Sequence, residues 1–186
     1  MAPGSSIELL FLDESESHLH PHLVRMWMRK GERTRVPAPG SNVKVPIYGA
    51  LNYRTNRVSH RLGYRKNAAE FLGFLAQLAA EYGGRHCLLV LDNASYHTAG
   101  VVREYLAELS ETFRVLWLPP YSPELNDIEH IWRYVKAASL ANHDFGDVLS
   151  LRQAIERVFD SLNHCEDSDL ALHFRDPLSK NLLKVA

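Results

Sequence analysis

His86-Cys87-Leu88-Leu89-Val90-Leu91-Asp92 is an unbroken apolar run closed by an acid. It is too short for a core helix and has the length of a strand buried on both faces, so it predicts a central strand that delivers Asp92 at its C-terminal end. On its N-terminal side, Phe71, Leu75, Leu78 and Tyr82 recur three and four apart, Asn67 can cap the start, and Gly83-Gly84 closes the element. That is the pattern of an amphipathic helix. On its C-terminal side, Thr98 to Leu109 reads as a second helix and Phe113 to Leu118 as a second apolar strand, broken by Pro119-Pro120. Strand, helix, strand predicts a parallel pair.

Further outward, Val45–Tyr53 and Arg57–Tyr64 are strand-like and separated by Arg54, Thr55 and Asn56, a hairpin spacing. Ile7 to Leu12 is another apolar run, predicted as a buried strand with Asp13 at its tip. Pro21, Gly31, Pro37, Pro39 and Gly40 predict that Glu14 to Pro46 is irregular. A helix is expected from about Asn126 to Leu140, and a last one over Val148 to Leu162, where Leu151, Ile155, Val158, Phe159 and Leu162 keep helical spacing. The expected class is α/β, with three antiparallel strands, then two parallel ones, flanked by helices. Residues 1–6 are expected to be a flexible N-terminus, 7–165 one domain, and 166–186 a tail or short helix.

The 186 residues suffice for one domain, and 46% hydrophobic against 23% charged residues is a globular balance. No apolar run reaches the ~20 residues of a membrane span, and the first residues lack the pattern of a secretory signal. Cys87 and Cys165 have neither disulfide-framework nor zinc spacing. These features predict a cytoplasmic protein without a membrane partner. With 21 Lys plus Arg against 22 Asp plus Glu, a nucleic-acid substrate would have to be gripped by local patches or by another domain.

Open mixed sheets bind ligands beyond the carboxyl ends of their strands, so Asp13 and Asp92 are placed to share a site. Hard divalent cations accept carboxylate oxygens, and a pair of ions ~3.5–4 Å apart can serve both oxygens of a phosphodiester displacement. A third acid comes from Leu118-Pro119-Pro120-Tyr121-Ser122-Pro123-Glu124-Leu125-Asn126-Asp127-Ile128-Glu129-His130-Ile131-Trp132, a proline-stiffened loop feeding a helix. Each acid also has a plainer reading. Asp13 and Asp92 could be loop acids or helix caps. Asn126 and Glu129 have the spacing of a capping box, in which the Glu side chain turns back to the helix start. Asp127 lies on roughly the opposite side of the helix from Glu129, so one of the two can face an ion.

Taken in order, Asp13-Glu14 with Pro21, Trp27 and Lys30-Gly31, then Leu91-Asp92-Asn93-Ala94-Ser95-Tyr96-His97, then the Pro-Pro-Tyr-Ser-Pro-Glu-Leu-Asn segment ending in Ile128-Glu129 and Trp132, resemble the catalytic domain of the mariner superfamily of DDE transposases, especially its bacterial insertion-sequence branch. The likeness runs from about Leu9 to Leu162. Thirty-six residues separate Asp92 from Glu129, near the short spacing this superfamily keeps. One departure is Asp127, where the family commonly has proline; an acid there suits the positive end of the helix dipole. The resemblance implies an RNase H-like fold and a metal-dependent DNA strand cleavage and strand transfer activity. It assigns Asp13, Asp92 and Glu129 as catalytic ligands of two Mg2+ or Mn2+ ions, with transposon ends and target DNA as partners. Glu14, Asn93, His97 and Asn126 are secondary candidates.

Arg29, Lys30, Arg33 and Arg35, in a basic cluster that begins at Arg25, and Arg133 and Lys136 beyond Glu129 are candidate DNA contacts, against the plainer reading of solvated charge. Trp132 is expected in the core, and Trp27 packed against the loop after the first strand. Full-length members of the superfamily carry a leading helix-turn-helix region, which is expected to be missing here, and a homodimer is possible. The chain would then be a fragment, a second reading frame or a decayed copy. The competing readings are an inactive or domesticated remnant that binds DNA or assembles, which the presence of all three acids disfavours, and another RNase H-like nuclease, which would lack the Pro-Pro-Tyr-Ser-Pro loop.

Overall fold

The strand with Asp13 is longer than its apolar run. In the computed structural model, which describes residues 7–25, 27–31, 35–38, 40 and 42–164, β1 extends over Glu8–His18. Its second half, Glu14-Ser15-Glu16-Ser17-His18, is polar in sequence, yet it pairs with β2 (Lys44–Asn52) from Glu14 opposite Tyr48 to His18 opposite Lys44. Two expectations are corrected here: Asp13 lies within a strand, and the irregular segment begins after His18. A polar run is accommodated because backbone pairing with β2 satisfies its N–H and C=O groups while Ser15 and Ser17 are small enough to be buried. The expected termini, 1–6 and 166–186, lie outside the described residues, as do Arg33 and Cys165.

β2 continues through a turn at Asn52–Arg57 into β3 (Val58–Leu62). The Asn52 side-chain oxygen accepts from the backbone N–H of Arg54 and Thr55 at 3.0 and 3.1 Å, and Asn56 takes a left-handed φ of 57°. α1 (Ala68–Glu81) starts where Asn67 accepts from the Glu70 N–H at 2.9 Å. β4 (Cys87–Leu91), α2 (Gly100–Glu108) and β5 (Phe113–Trp117) follow. A 3-10 turn at Pro123–Leu125 leads into α3 (Ile128–Tyr134), a wide π turn at Val135–Ser139, and α4 (Val148–His164).

The sheet order is β3-β2-β1-β4-β5, antiparallel across β3, β2 and β1 and parallel across β1, β4 and β5. This is the mixed five-stranded sheet expected. Because strand side chains alternate between faces, β1 serves two cores. Leu10 and Leu12 pack with Phe71, Phe74, Leu75 and Leu78 of α1 and Val102 and Leu106 of α2. Phe11 and Leu19 pack with Ile128, Ile131 and Trp132 of α3 and Leu151, Ile155 and Phe159 of α4. Asp13 therefore faces α3, and its neighbour Glu14 faces α1 and α2. No helix among the described residues is long and apolar enough to cross a membrane.

Candidate active site

Parallel pairing of β1 with β4 ends at Phe11 opposite Val90, so Asp13 is level with the end of β4, where Asp92 leaves the sheet. Glu129 arrives from the first turn of α3. The three side chains line one open cavity of about 450 Å³, together with Asn93, Asn126 and the loop from Leu118 to Pro123. Asp127 lines neither this cavity nor its neighbour, whereas Glu129 lines both. Among the described residues, no three His, Cys, Asp or Glu side chains stand close enough to grip a single ion in their present rotamers.

The capping-box alternative for Glu129 is not what the chain adopts. The Asn126 amide donates across to the Leu12 carbonyl at 2.8 Å instead of capping α3, whose start at Asp127 has no side-chain cap. Asn126 thus ties the helix to β1 beside Asp13. Its own side-chain oxygen is buried with no partner, while the residue as a whole lines the cavity. Asn93 anchors the other side, its amide donating to the Leu118 carbonyl at 2.6 Å and holding the proline loop against the end of β4.

Burial pushes the Asp13 carboxyl up to about 7, with the negative charges of Glu14 and Glu129 adding to the rise against hydrogen bonds from the Glu14 backbone and Trp132. The Trp132 indole N–H donates to Asp13 Oδ2 at 2.9 Å. Because the folded value lies above 3.8, protonated Asp13 favours folding below that pH, and this contribution is lost as pH rises through about 7. Burial first, and the neighbouring negative charges of Glu14 and Glu129 second, thus disfavour an ionised Asp13. Asp92 behaves oppositely: the His97 hydrogen bond, then the Ala94 N–H and the charges of His97 and Lys66, hold its carboxyl below the usual range despite partial burial. Burial alone would lower the His97 imidazole, but hydrogen bonds to Asp92 and Glu14 and their charges raise it to about 9.

A smaller cavity of about 240 Å³ continues from Asp13 and Glu129 past Glu14, Ser15, Glu16 and His18, with Lys66 and Lys136 on its walls. Lys136 also borders a third cavity of about 370 Å³ holding Ser17, His20, His22 and Phe145. The second and third cavities share Glu16, His18 and Lys136 and make a groove along the outer half of β1. Ser15 and Ser17 hydroxyls are buried there without partners. Of the expected DNA contacts, Lys136 lies on this groove, while Arg29, Lys30, Arg35 and Arg133 are exposed and line neither cavity at the acids.

Trp27 is fully exposed, which corrects its expected packing under the loop. Trp132 is in the core as expected, but its hydrogen bond to Asp13 gives it a second role that apolar spacing could not show. Lys66 was also missed; it precedes the Asn67 cap in a stretch read only as a helix start, and its ammonium donates to the Glu14 carbonyl at 3.3 Å.

Residues 8–152 match the family model described as DDE superfamily endonuclease. The chain belongs to this family. A relative in Shigella sonnei, the insertion element IS630 uncharacterized 39 kDa protein, is 30% identical over 156 residues, covering 83% of this chain and 45% of the relative. The chain therefore spans less than half the length of this curated relative. Among solved structures, the catalytic domain of Mos1 mariner transposase aligns with a TM-score of 0.58 at 20% identity, over 82% of this chain and 70% of that one. The Mos1 mariner paired end complex with Mn aligns with a TM-score of 0.64 at 20% identity, over 95% of this chain and 54% of that one. At such identity the likeness is one of fold, and it matches the RNase H-like sheet and flanking helices of this DDE endonuclease family member.

Proposed function

We propose that the chain is the catalytic domain of an insertion-sequence transposase that cleaves DNA strands and transfers them to target DNA with two Mg2+ or Mn2+ ions. The observation that carries this is the convergence of Asp13, Asp92 and Glu129 on one cavity, with Asp13 buried among like charges that a cation would relieve. The donor set fits such ions because it is made of hard carboxylate oxygens on one cavity. Bound there, the ions would activate the attacking oxygen and screen the phosphate. Asp13, Asp92 and Glu129 would hold them, and Trp132 would orient Asp13 through its N–H.

The groove along β1 suits a phosphate backbone. Lys66 and Lys136 line it and would meet the phosphates. Arg29, Lys30, Arg35 and Arg133 would add contacts outside it, and Arg33 is a further candidate contact. Recognition of transposon ends is assigned to a helix-turn-helix region in the rest of a longer protein, and pairing of ends to a homodimer.

Supercoiled plasmid tests the chemistry without needing end recognition. Mn2+ is expected to support nicking that leaves 3′ hydroxyls, and EDTA to stop it; nicking that persists in EDTA would contradict the reading. Proton linkage gives a second test. Since Asp13 must lose its proton to ligate, Mn2+ affinity is expected to fall about tenfold per pH unit below pH 7, with about one proton released per ion pair bound. Calorimetry at pH 6 in buffers of different ionisation enthalpy measures that release, and binding enthalpies independent of buffer would contradict it.

A further inference from the structure

A buried polar chain stands behind Asp92, on the face of the sheet away from Asp13. Glu14, one residue past Asp13, points to that face with a side chain only 3% exposed. One of its oxygens accepts from the Tyr96 hydroxyl at 2.7 Å, and the other faces His97 Nε2 at 2.9 Å. The His97 ring is 1% exposed, and its Nδ1 lies 2.7 Å from Asp92 Oδ1. That same Asp92 oxygen accepts the Ala94 N–H at 3.0 Å. Phe71 and Tyr96 pack on the imidazole with ring centres 4.3 and 4.5 Å away, so the ring has little freedom to turn.

Ionised carboxylates only accept hydrogen bonds, so a ring held between two of them donates from both nitrogens. Two charged residues and a tyrosine occupy a place where apolar side chains would fill the core at no desolvation cost. Their arrangement has a directional result: Asp92 Oδ1 is engaged from behind by two donors, while the Asp92 carboxylate borders the acid cavity.

We infer that Glu14 and His97 are positioning residues for the second acid: Glu14 fixes the His97 ring, and His97 holds Asp92 Oδ1 so that the other oxygen is presented to a divalent cation. This rests on Asp92 being a metal ligand, as proposed above. Outer partners of this kind commonly change metal affinity by ~10–100-fold when removed.

Counting free Mn2+ by electron paramagnetic resonance during titration tests the inference without DNA. His97→Gln keeps a donor near the Nε2 position, toward Glu14, but loses the one at Asp92; His97→Asn keeps a donor near Nδ1. The expected result is a 10–100-fold weaker Mn2+ site in His97→Gln and Glu14→Gln, with most of the loss recovered in His97→Asn, while melting in EDTA separates these effects from unfolding. Wild-type affinity in His97→Gln and Glu14→Gln would overturn the inference, and so would equal weakening in both His97 variants that tracks their melting temperatures. Asp92→Asn distinguishes the underlying failure. If it loses a Mn2+ site while the other variants do not, the positioning role falls and the metal reading stands; if it binds as wild type, both fall.

Discussion

Asp92→Asn is expected to slow Mn2+-dependent strand cleavage by roughly a thousandfold or more, which corresponds to about 4 kcal/mol of lost transition-state stabilisation. The substitution is nearly isosteric, and an asparagine oxygen can still accept from the Ala94 N–H and His97, so the backbone turn after β4 has no reason to change. Asp92 is also 52% exposed, which limits its contribution to stability. What disappears is the negative charge and one of the two oxygens a cation can use. The decisive comparison is plasmid nicking beside thermal melting in EDTA: lost cleavage with a melting temperature close to that of the wild type. A variant that nicks within about threefold of the wild-type rate would remove Asp92 from the chemistry.

Gly49→Ala is expected to destabilise the protein by about 2–4 kcal/mol although it adds one methyl group, by overpacking and by loss of a hydrogen bond to a charged group. Gly49 is paired directly opposite Asp13 in the β1–β2 ladder. A Cβ there would stand 2.5 Å from Trp132 Cη2, 2.9 Å from Cζ2 and 3.0 Å from Ile128 Cδ1. The indole has to shift, and its 2.9 Å bond to Asp13 shifts with it. Urea denaturation measures the loss, and a change below about 0.5 kcal/mol would mean that the indole can move freely. Adding Trp132→Phe makes space for the methyl group without restoring the N–H. The double variant is therefore expected to regain stability while Asp13 remains unsupported, and a double-mutant cycle isolates the clash.

The sheet and helices were readable where one physical signal dominates. β4 and β5 are continuous apolar runs, and α1 has both a 3.6-residue period and an Asn67 cap whose hydrogen bond is present. The outer half of β1 was unreadable because its order comes from pairing with β2, and its Ser and Glu side chains leave no hydrophobic trace. That the three acids would meet at one cavity was legible from motif order and spacing. Asn126 was legible as a secondary candidate but its contact was not: the capping-box spacing with Glu129 is a local pattern, and a hydrogen bond to Leu12 over a hundred residues away displaces it. The Glu14–His97–Asp92 chain was invisible for a related reason. Glu14 and His97 could be singled out one by one, but their meeting depends on which helices cover which face of β1.

Asp13 and Glu14 face opposite sides of a single strand, and this makes β1 unusually sensitive to changes in length. Removal of one codon between Leu10 and Asp13 would leave the reading frame intact, yet it would exchange the two sides of the strand relative to its neighbours. An acid meant for the cavity would be driven into the packing beneath α1 and α2. For the gene, a clean triplet loss at this point would put the longer Glu14 side chain where Asp13 stands, a change no codon count reveals.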